Sequence, residues 1–200
     1  MEILKYKGLV GVFCVAGVAI PLYCPAQGWA QELSTAQLQL IKAEIAADTT
    51  LATKPMTTAG HTAIAQALNL PNSVEHWVWR TDVSREDVLF GRGPDGTMFT
   101  WADNGFIKRS LSDMLAWQEL SGAGSMDLSV PGIRAALSEI FSGTGNAGLN
   151  RTHVFSVGRR VATRAERVLA VGTGATTAPS TMTFEGDISP IEVEQARLLP

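Results

Sequence analysis

Two sequences of the form Ser-x-x-Gln/Glu bracket the greater part of this chain, Ser34-Thr35-Ala36-Gln37 near its start and Ser189-Pro190-Ile191-Glu192 near its end. In such a box the serine hydroxyl accepts the amide hydrogen three residues on. The Gln or Glu side chain reaches back to the serine amide, so two free donors at a helix start are satisfied together. After the first box, Leu33 is placed to staple onto Leu38, and Leu38, Ile41 and Ile45 recur on one helical face. That spacing predicts a helix stopping near Asp48, before Thr49-Thr50 and Pro55. Pro190 at the first helical position strengthens the second box, whose helix runs to Leu199.

The stretch between the boxes reads in the same way. Residues 58–68 predict a helix with Ile64 and Leu68 as its buried stripe, ended by Pro71-Asn72. Asp103 or Asn104 is placed to cap a helix in which Ile107, Leu111, Met114, Leu115 and Gln118 share one face, closed by Ser121-Gly122. Ser129 is placed to cap another, with Pro131 in its first turn, Ile133, Leu137 and Ile140 as core stripe and Gly143 as stop. Apolar period predicts the longest helix over residues 149–170, through Val154, Val157, Val161, Ala165, Val168 and Leu169.

Two pieces read as β. Trp77, Trp79 and Thr81 alternate with Val78 and Arg80, and Met182-Thr183-Phe184-Glu185 follows the small-residue linker of residues 172–179. Ser84-x-x-Asp87 can start one helical turn, and the turn-rich residues 91–96 can join Val88-Leu89-Phe90 to residues 98–101 as a loose hairpin. The expected fold is mainly α: a single domain of about five or six helices with two short β elements.

Length and content agree with one domain, since 200 residues at 46% apolar can enclose one core. Five Trp and seven Phe argue against a chain that never packs. A net charge of -3 with 18% charged residues carries no global signal for nucleic acid. The two cysteines are Cys14 and Cys24. From Pro25 onward a disulfide framework, a zinc–thiolate site and a cysteine nucleophile are therefore excluded.

Residues 1–32 read as a hydrophobic leader ahead of a domain at residues 33–200. Lys5 and Lys7 precede an apolar run over residues 8–20, Pro21 closes it, and cleavage after Ala30 or Ala26 fits a secretory signal. The run is shorter than the roughly 20 apolar residues of a spanning helix. A retained anchor and an upstream start codon are the competing readings.

No arrangement of catalytic type is legible. His61, His76 and His153 lie far apart and share no ligand spacing, and each reads as an ordinary core or surface histidine. Gly143-Thr144-Gly145-Asn146-Ala147-Gly148 matches G-x-G-x-x-G in letters. A helix precedes it where the dinucleotide fold needs a strand, so it reads as a helix–helix connection. The acids Asp82, Glu86 and Asp87, and more loosely Asp103 and Asp113, read as caps and solvated groups. No metal, no cofactor and no enzymatic activity are expected.

Candidate interface residues do stand out. Arg160, Arg164 and Arg167 recur at i, i+4 and i+7 of the expected long helix. Among the tryptophans, Trp77 and Trp101 are expected in the core, whereas Trp79 and Trp117 are candidates for anchoring an interface.

An ordered series of short motifs runs through the chain: Pro55-Met56-Thr57, Val78-Trp79-Arg80-Thr81, Ile133-Arg134-Ala135-Ala136, Ala165-Glu166-Arg167-Val168-Leu169-Ala170, Gly172-Thr173-Gly174 and Thr183-Phe184-Glu185-Gly186-Asp187-Ile188-Ser189. In this order it resembles a family of small tailed-bacteriophage and prophage proteins encoded among virion morphogenesis genes. The resemblance spans roughly residues 33–196 and supplies no catalytic residues. It implies a virion assembly part near the head–tail junction or in the tail, with other virion proteins and further copies of itself as partners. It implies residence in the virion, or in the host cytoplasm during assembly. Members of that family begin close to Ser34, which favours the upstream-start reading of the leader. The alternative is a periplasmic or secreted interaction domain behind a true signal. Nucleic acid is not an expected partner, and a membrane is one only through a retained leader.

Overall fold

Each expected capping box forms in the computed structural model, which describes the backbone of residues 12–15 and 18–21 and residues 32–102, 104–122 and 124–200. Near the start of the chain, β1 (Val12–Val15) and β2 (Val18–Pro21) pair antiparallel. The signal and start-codon readings turn on residues that lie outside the described ones. Residues Glu32–Pro200 form one compact unit and are described by themselves below.

Helix α1 (Thr35–Ala47) opens with Gln37 N donating to Ser34 Oγ at 3.3 Å and Ser34 N donating to Gln37 Oε1 at 2.9 Å, and it buries Leu38, Ile41 and Ile45. Asp48 ends α1, and its carboxylate accepts the Thr50 and Leu51 amides at 2.8 and 3.1 Å to start a single turn, α2 (Thr49–Ala52). Helix α3 (Thr58–Leu68) follows, capped by Thr57. Then come β3 (Trp77–Trp79), β4 (Val83–Ser84) and α4 (Arg85–Phe90). Helix α5 (Leu111–Gly122), β5 (Ser125–Met126), α6 (Pro131–Ile140) and α7 (Asn146–Val157) make up the middle of the chain. Strand β6 (Arg159–Val161), α8 (Arg164–Leu169) and α9 (Pro190–Leu198) complete it.

The architecture is mainly α. Two apolar clusters divide the work. Helices α1, α2, α3, α8 and α9 close around Ile41, Ile64, Leu68, Phe184 and Val193. Helices α4 to α7 close around Trp117, Leu128, Leu137, Phe141 and Val154. Strand β3 pairs antiparallel with β6, Trp77 opposite Val161 and Trp79 opposite Arg159, and β4 pairs with β5. On the other side of β3, Ser180 N donates to Trp77 O at 2.8 Å and Trp79 N donates to Ser180 O at 3.0 Å.

Five expectations are corrected. Val130, not Ser129, stands at the start of α6, and no side chain caps it. Residues 149–170 are not one helix: α7 stops at Gly158, β6 intervenes, and α8 restarts. The restart is a third capping box, Thr163-x-x-Glu166, in which Glu166 N donates to Thr163 Oγ1 at 3.2 Å. The apolar period carried across the break because Val154, Val157, Ala165 and Leu169 are all buried, in two different helices.

Residues 182–185 form no strand. Thr183 Oγ1 donates to the Leu169 carbonyl at 2.6 Å, and Phe184 is a core side chain on irregular backbone. Val88-Leu89-Phe90 belongs to α4, whose Ser84/Asp87 box is complete, and the expected hairpin shrinks to one bridge between Arg92 and Met98.

Helix α5 starts at Leu111, later than an Asp103 or Asn104 cap would place it. Ser110 Oγ accepts the Asp113 amide at 3.1 Å there, and Asn104 sits in a turn with φ 62°. The side of α5 turned inward is the one that carries Trp117 and Ser121.

Trp117 is 1% exposed, and its ring meets Phe141 edge-on at 5.5 Å between centroids. Trp117→Ala should therefore lower the unfolding free energy by about 3–5 kcal/mol. Leu111→Ala, on the outer side of the same helix, should change it by less than about 1 kcal/mol. Urea unfolding followed by tryptophan fluorescence and circular dichroism checks the contrast.

Candidate interaction surface

The three arginines singled out by their spacing are spread over two elements and serve internal contacts. Arg160 lies in β6, so the shared helical face does not exist. Its guanidinium makes a two-pronged pair with Glu166, Nη1 to Oε2 and Nη2 to Oε1, both at 2.7 Å, and reaches Glu185 at 3.3 Å. Glu166 is 2% exposed and also accepts the Thr163 amide at 2.9 Å and the Gly186 amide at 3.4 Å. Burial pushes the Glu166 carboxyl up, but the Arg160 hydrogen bonds, the Thr163 amide and the Arg160 charge together hold it below the usual range. The Arg160 guanidinium is correspondingly held in its charged form.

Arg164 and Arg167 do come together, at the first core. Arg164 donates to Glu44 and Asp48, and Arg167 to Glu44, each at 2.7 Å. These four side chains line one wall of an open cleft of about 460 Å³, with Leu70, Pro71 and Val74 on its rim. Two guanidiniums there face two carboxylates, so the wall presents no excess of either charge.

The tryptophans reverse two expectations. Trp117, expected at an interface, is core. Trp101, expected in the core, is 43% exposed. It stands at the end of an aromatic group in which Phe99, Trp101 and Phe106 meet edge-on at 5.3–5.6 Å. Trp79 is half-buried, covered on one face by the Arg134 guanidinium at 4.8 Å and touched edge-on by Phe155. Trp77 is half-buried beneath Arg159 at 5.4 Å.

Two of the three histidines are buried. His153 is fully buried, with Nε2 2.8 Å from the Val88 carbonyl and Nδ1 3.2 Å from Thr97 Oγ1. Thr97 Oγ1 and Ser156 Oγ donate to Asp95 Oδ1 at 2.7 and 2.5 Å, and Arg159 pairs with Asp95 Oδ2 at 3.1 Å. This chain of bonds ties the loop of residues 93–97 to α7. His61 is buried in α3, and the ring of His76 lies against Gly174; burial and then the Arg167 charge push His76 down. Gly143 and Gly145, both at positive φ, join α6 to α7. Among the described residues no three His, Cys, Asp or Glu side chains converge as metal ligands, and no helix is long and apolar enough to cross a membrane.

Several large apolar side chains are turned outward on α5 and just ahead of it. On α5, Leu111 is 73% exposed, Leu115 56% and Met114 38%, with Ile107 at 65% one turn ahead. Of positions 107, 111, 114, 115 and 118, whose spacing was evident in the sequence, Ile107 lies in a turn ahead of α5 and the other four lie on it, all five exposed. Trp101 and the neighbouring half-buried Phe106 extend this surface. Large apolar patches on a folded surface are a common mark of interaction sites. Comparison with protein-family models, curated proteins and solved structures returns no match to this chain.

The pair at Glu166 generates a prediction. Its folded-state carboxyl titrates below its unfolded one, so its stabilisation is fully present above the unfolded value of about 4.5 and is lost as pH falls from there through the folded value. Urea midpoints should drop on acidification below about pH 4, and drop less steeply in Glu166→Gln. Glu166→Ala, which leaves Arg160 without its main partner, should cost about 3–5 kcal/mol at neutral pH.

Proposed function

We propose that this chain is a non-enzymatic assembly protein that works by packing against further copies of itself and against neighbouring proteins, in the particle of a tailed phage or prophage. The observation that carries the reading is the outward apolar stripe of α5 with Trp101 beside it. Such a surface gains free energy only when it is covered. The internal use of the polar groups supports the same reading. His153 Nε2 is committed to the Val88 carbonyl, the Ser156 hydroxyl is committed to Asp95, and the arginines of β6 and α8 hold acids of their own chain. The order of short motifs from Pro55 to Ser189 supports the virion setting.

Sedimentation of the full chain tests the packing. An oligomer is expected at micromolar concentration, and a monomer persisting to about 100 µM, where even a weak contact is populated, overturns the reading. Peptide mass spectrometry of particles released by the host tests the setting: peptides from residues 33–200 are expected in purified particles, and their absence removes the virion assignment.

A further inference from the structure

We infer that a proton on His153 Nδ1 works a latch on the loop of residues 93–97. With that proton in place, the Thr97 hydroxyl holds Asp95 and the imidazole holds Thr97, so the loop is locked onto α7. Without it, the imidazole and Asp95 compete for one hydroxyl hydrogen, and the lock is one bond short. The latch works whether or not copies of the chain associate.

The count of hydrogens carries the argument. His153 is 0% exposed, so water answers neither ring nitrogen. A carbonyl oxygen only accepts, so Nε2, 2.8 Å from the Val88 carbonyl, carries a hydrogen. Nδ1 lies 3.2 Å from Thr97 Oγ1, and that oxygen lies 2.7 Å from Asp95 Oδ1. Thr97 has a single hydroxyl hydrogen, and an ionised carboxylate has none to give. The shorter contact to the charged acceptor takes the hydrogen. Nδ1 then faces an oxygen lone pair unless it carries a hydrogen of its own. With one there, the series from Nδ1 through Thr97 to Asp95 runs without a gap.

The surroundings fix which group changes. Burial pushes the Asp95 carboxyl up, but hydrogen bonds from Ser156 and Thr97 and the Arg159 charge hold it below the usual range. Asp95 therefore stays ionised between pH 5 and 8, the span in which histidine is the side chain that changes charge. Other charges near the ring are engaged or solvated. On α4, Asp87 pairs with Arg80, and Arg85 and Glu86 are exposed, as is Arg92 beyond it. On α7, Arg151 donates to the Phe141 carbonyl. The Phe99 ring meets the imidazole edge-on at 6.3 Å. The loop is pressed closely onto these groups: a Cβ at Gly93 would collide with the Ser156 and Thr97 hydroxyls.

Nitrogen-15 spectra of the histidine rings, with amide exchange of the loop, test the latch in the full chain between pH 5 and 8. Nε2 of His153 should carry hydrogen throughout, and Nδ1 should gain one as pH falls. Protection of the Gly93, Gly96 and Thr97 amides, corrected for intrinsic exchange and compared with Leu38 in α1, should rise roughly tenfold with it, the scale of one buried bond. Thr97→Ser, which keeps the hydroxyl, should retain the rise. Thr97→Val, with folding verified by circular dichroism, should abolish it. An Nδ1 whose protonation is constant over this range overturns the latch, as does loop protection that ignores the Nδ1 proton or follows it equally in Thr97→Val. Should Thr97→Val fail to fold, the spectra and exchange of the unaltered chain decide by themselves.

Discussion

A carboxylate shut away from water must find donors for both of its oxygens, and Glu166 finds them by gathering three parts of the chain around itself. Arg160 comes from β6, the Thr163 amide from the start of α8, and the Gly186 amide from the irregular segment ahead of α9. The backbone has to turn between Gly158 and Thr163 for the Arg160 guanidinium to face a carboxylate only six residues further on. That turn ends α7, lays β6 beside β3 and aims α8 so that Arg164 and Arg167 reach Glu44. Buried pairs of this kind specify an arrangement more than they stabilise it, because the attraction is set against desolvation of both ions. Here the arrangement specified is the junction of the two apolar clusters.

Two further carboxylates hold such junctions. Asp95 holds the 93–97 loop on α7 through Ser156, Thr97 and Arg159. Asp48 closes α1, opens α2 and accepts from Arg164. Burial pushes the Asp95 carboxyl up, and its hydrogen bonds and the nearby arginine outweigh that push. In each case the side chains that look reactive in isolation are already answered by a partner within the fold.

Helix α5 shows the converse. It is apolar on more than one side, and a helix lying on a core can bury only one. The side with Trp117 goes inward, because one indole packed against Phe141 removes more apolar surface from water than any single leucine of the opposite side. Leu111, Met114 and Leu115 are left outside, aligned and free of charge.

The local rules of the sequence determined a good deal. Ser34, Ser84 and Ser189 with their partners three residues on begin α1, α4 and α9, and Trp77 to Trp79 form a strand. Capping and alternation act over four or five neighbouring residues, so they survive whatever the rest of the chain does. The Thr163-x-x-Glu166 box was equally legible, but an apolar period running across it masked the break. Which stripe of α5 faces the core, and which acids answer Arg160, Arg164 and Arg167, was settled only by the tertiary structure. Those outcomes depend on groups far apart in the chain: Glu44 and Asp48 lie more than a hundred residues from Arg164. Periodicity reports that a face is apolar; only competition among all such faces for one interior decides which of them is left for a partner.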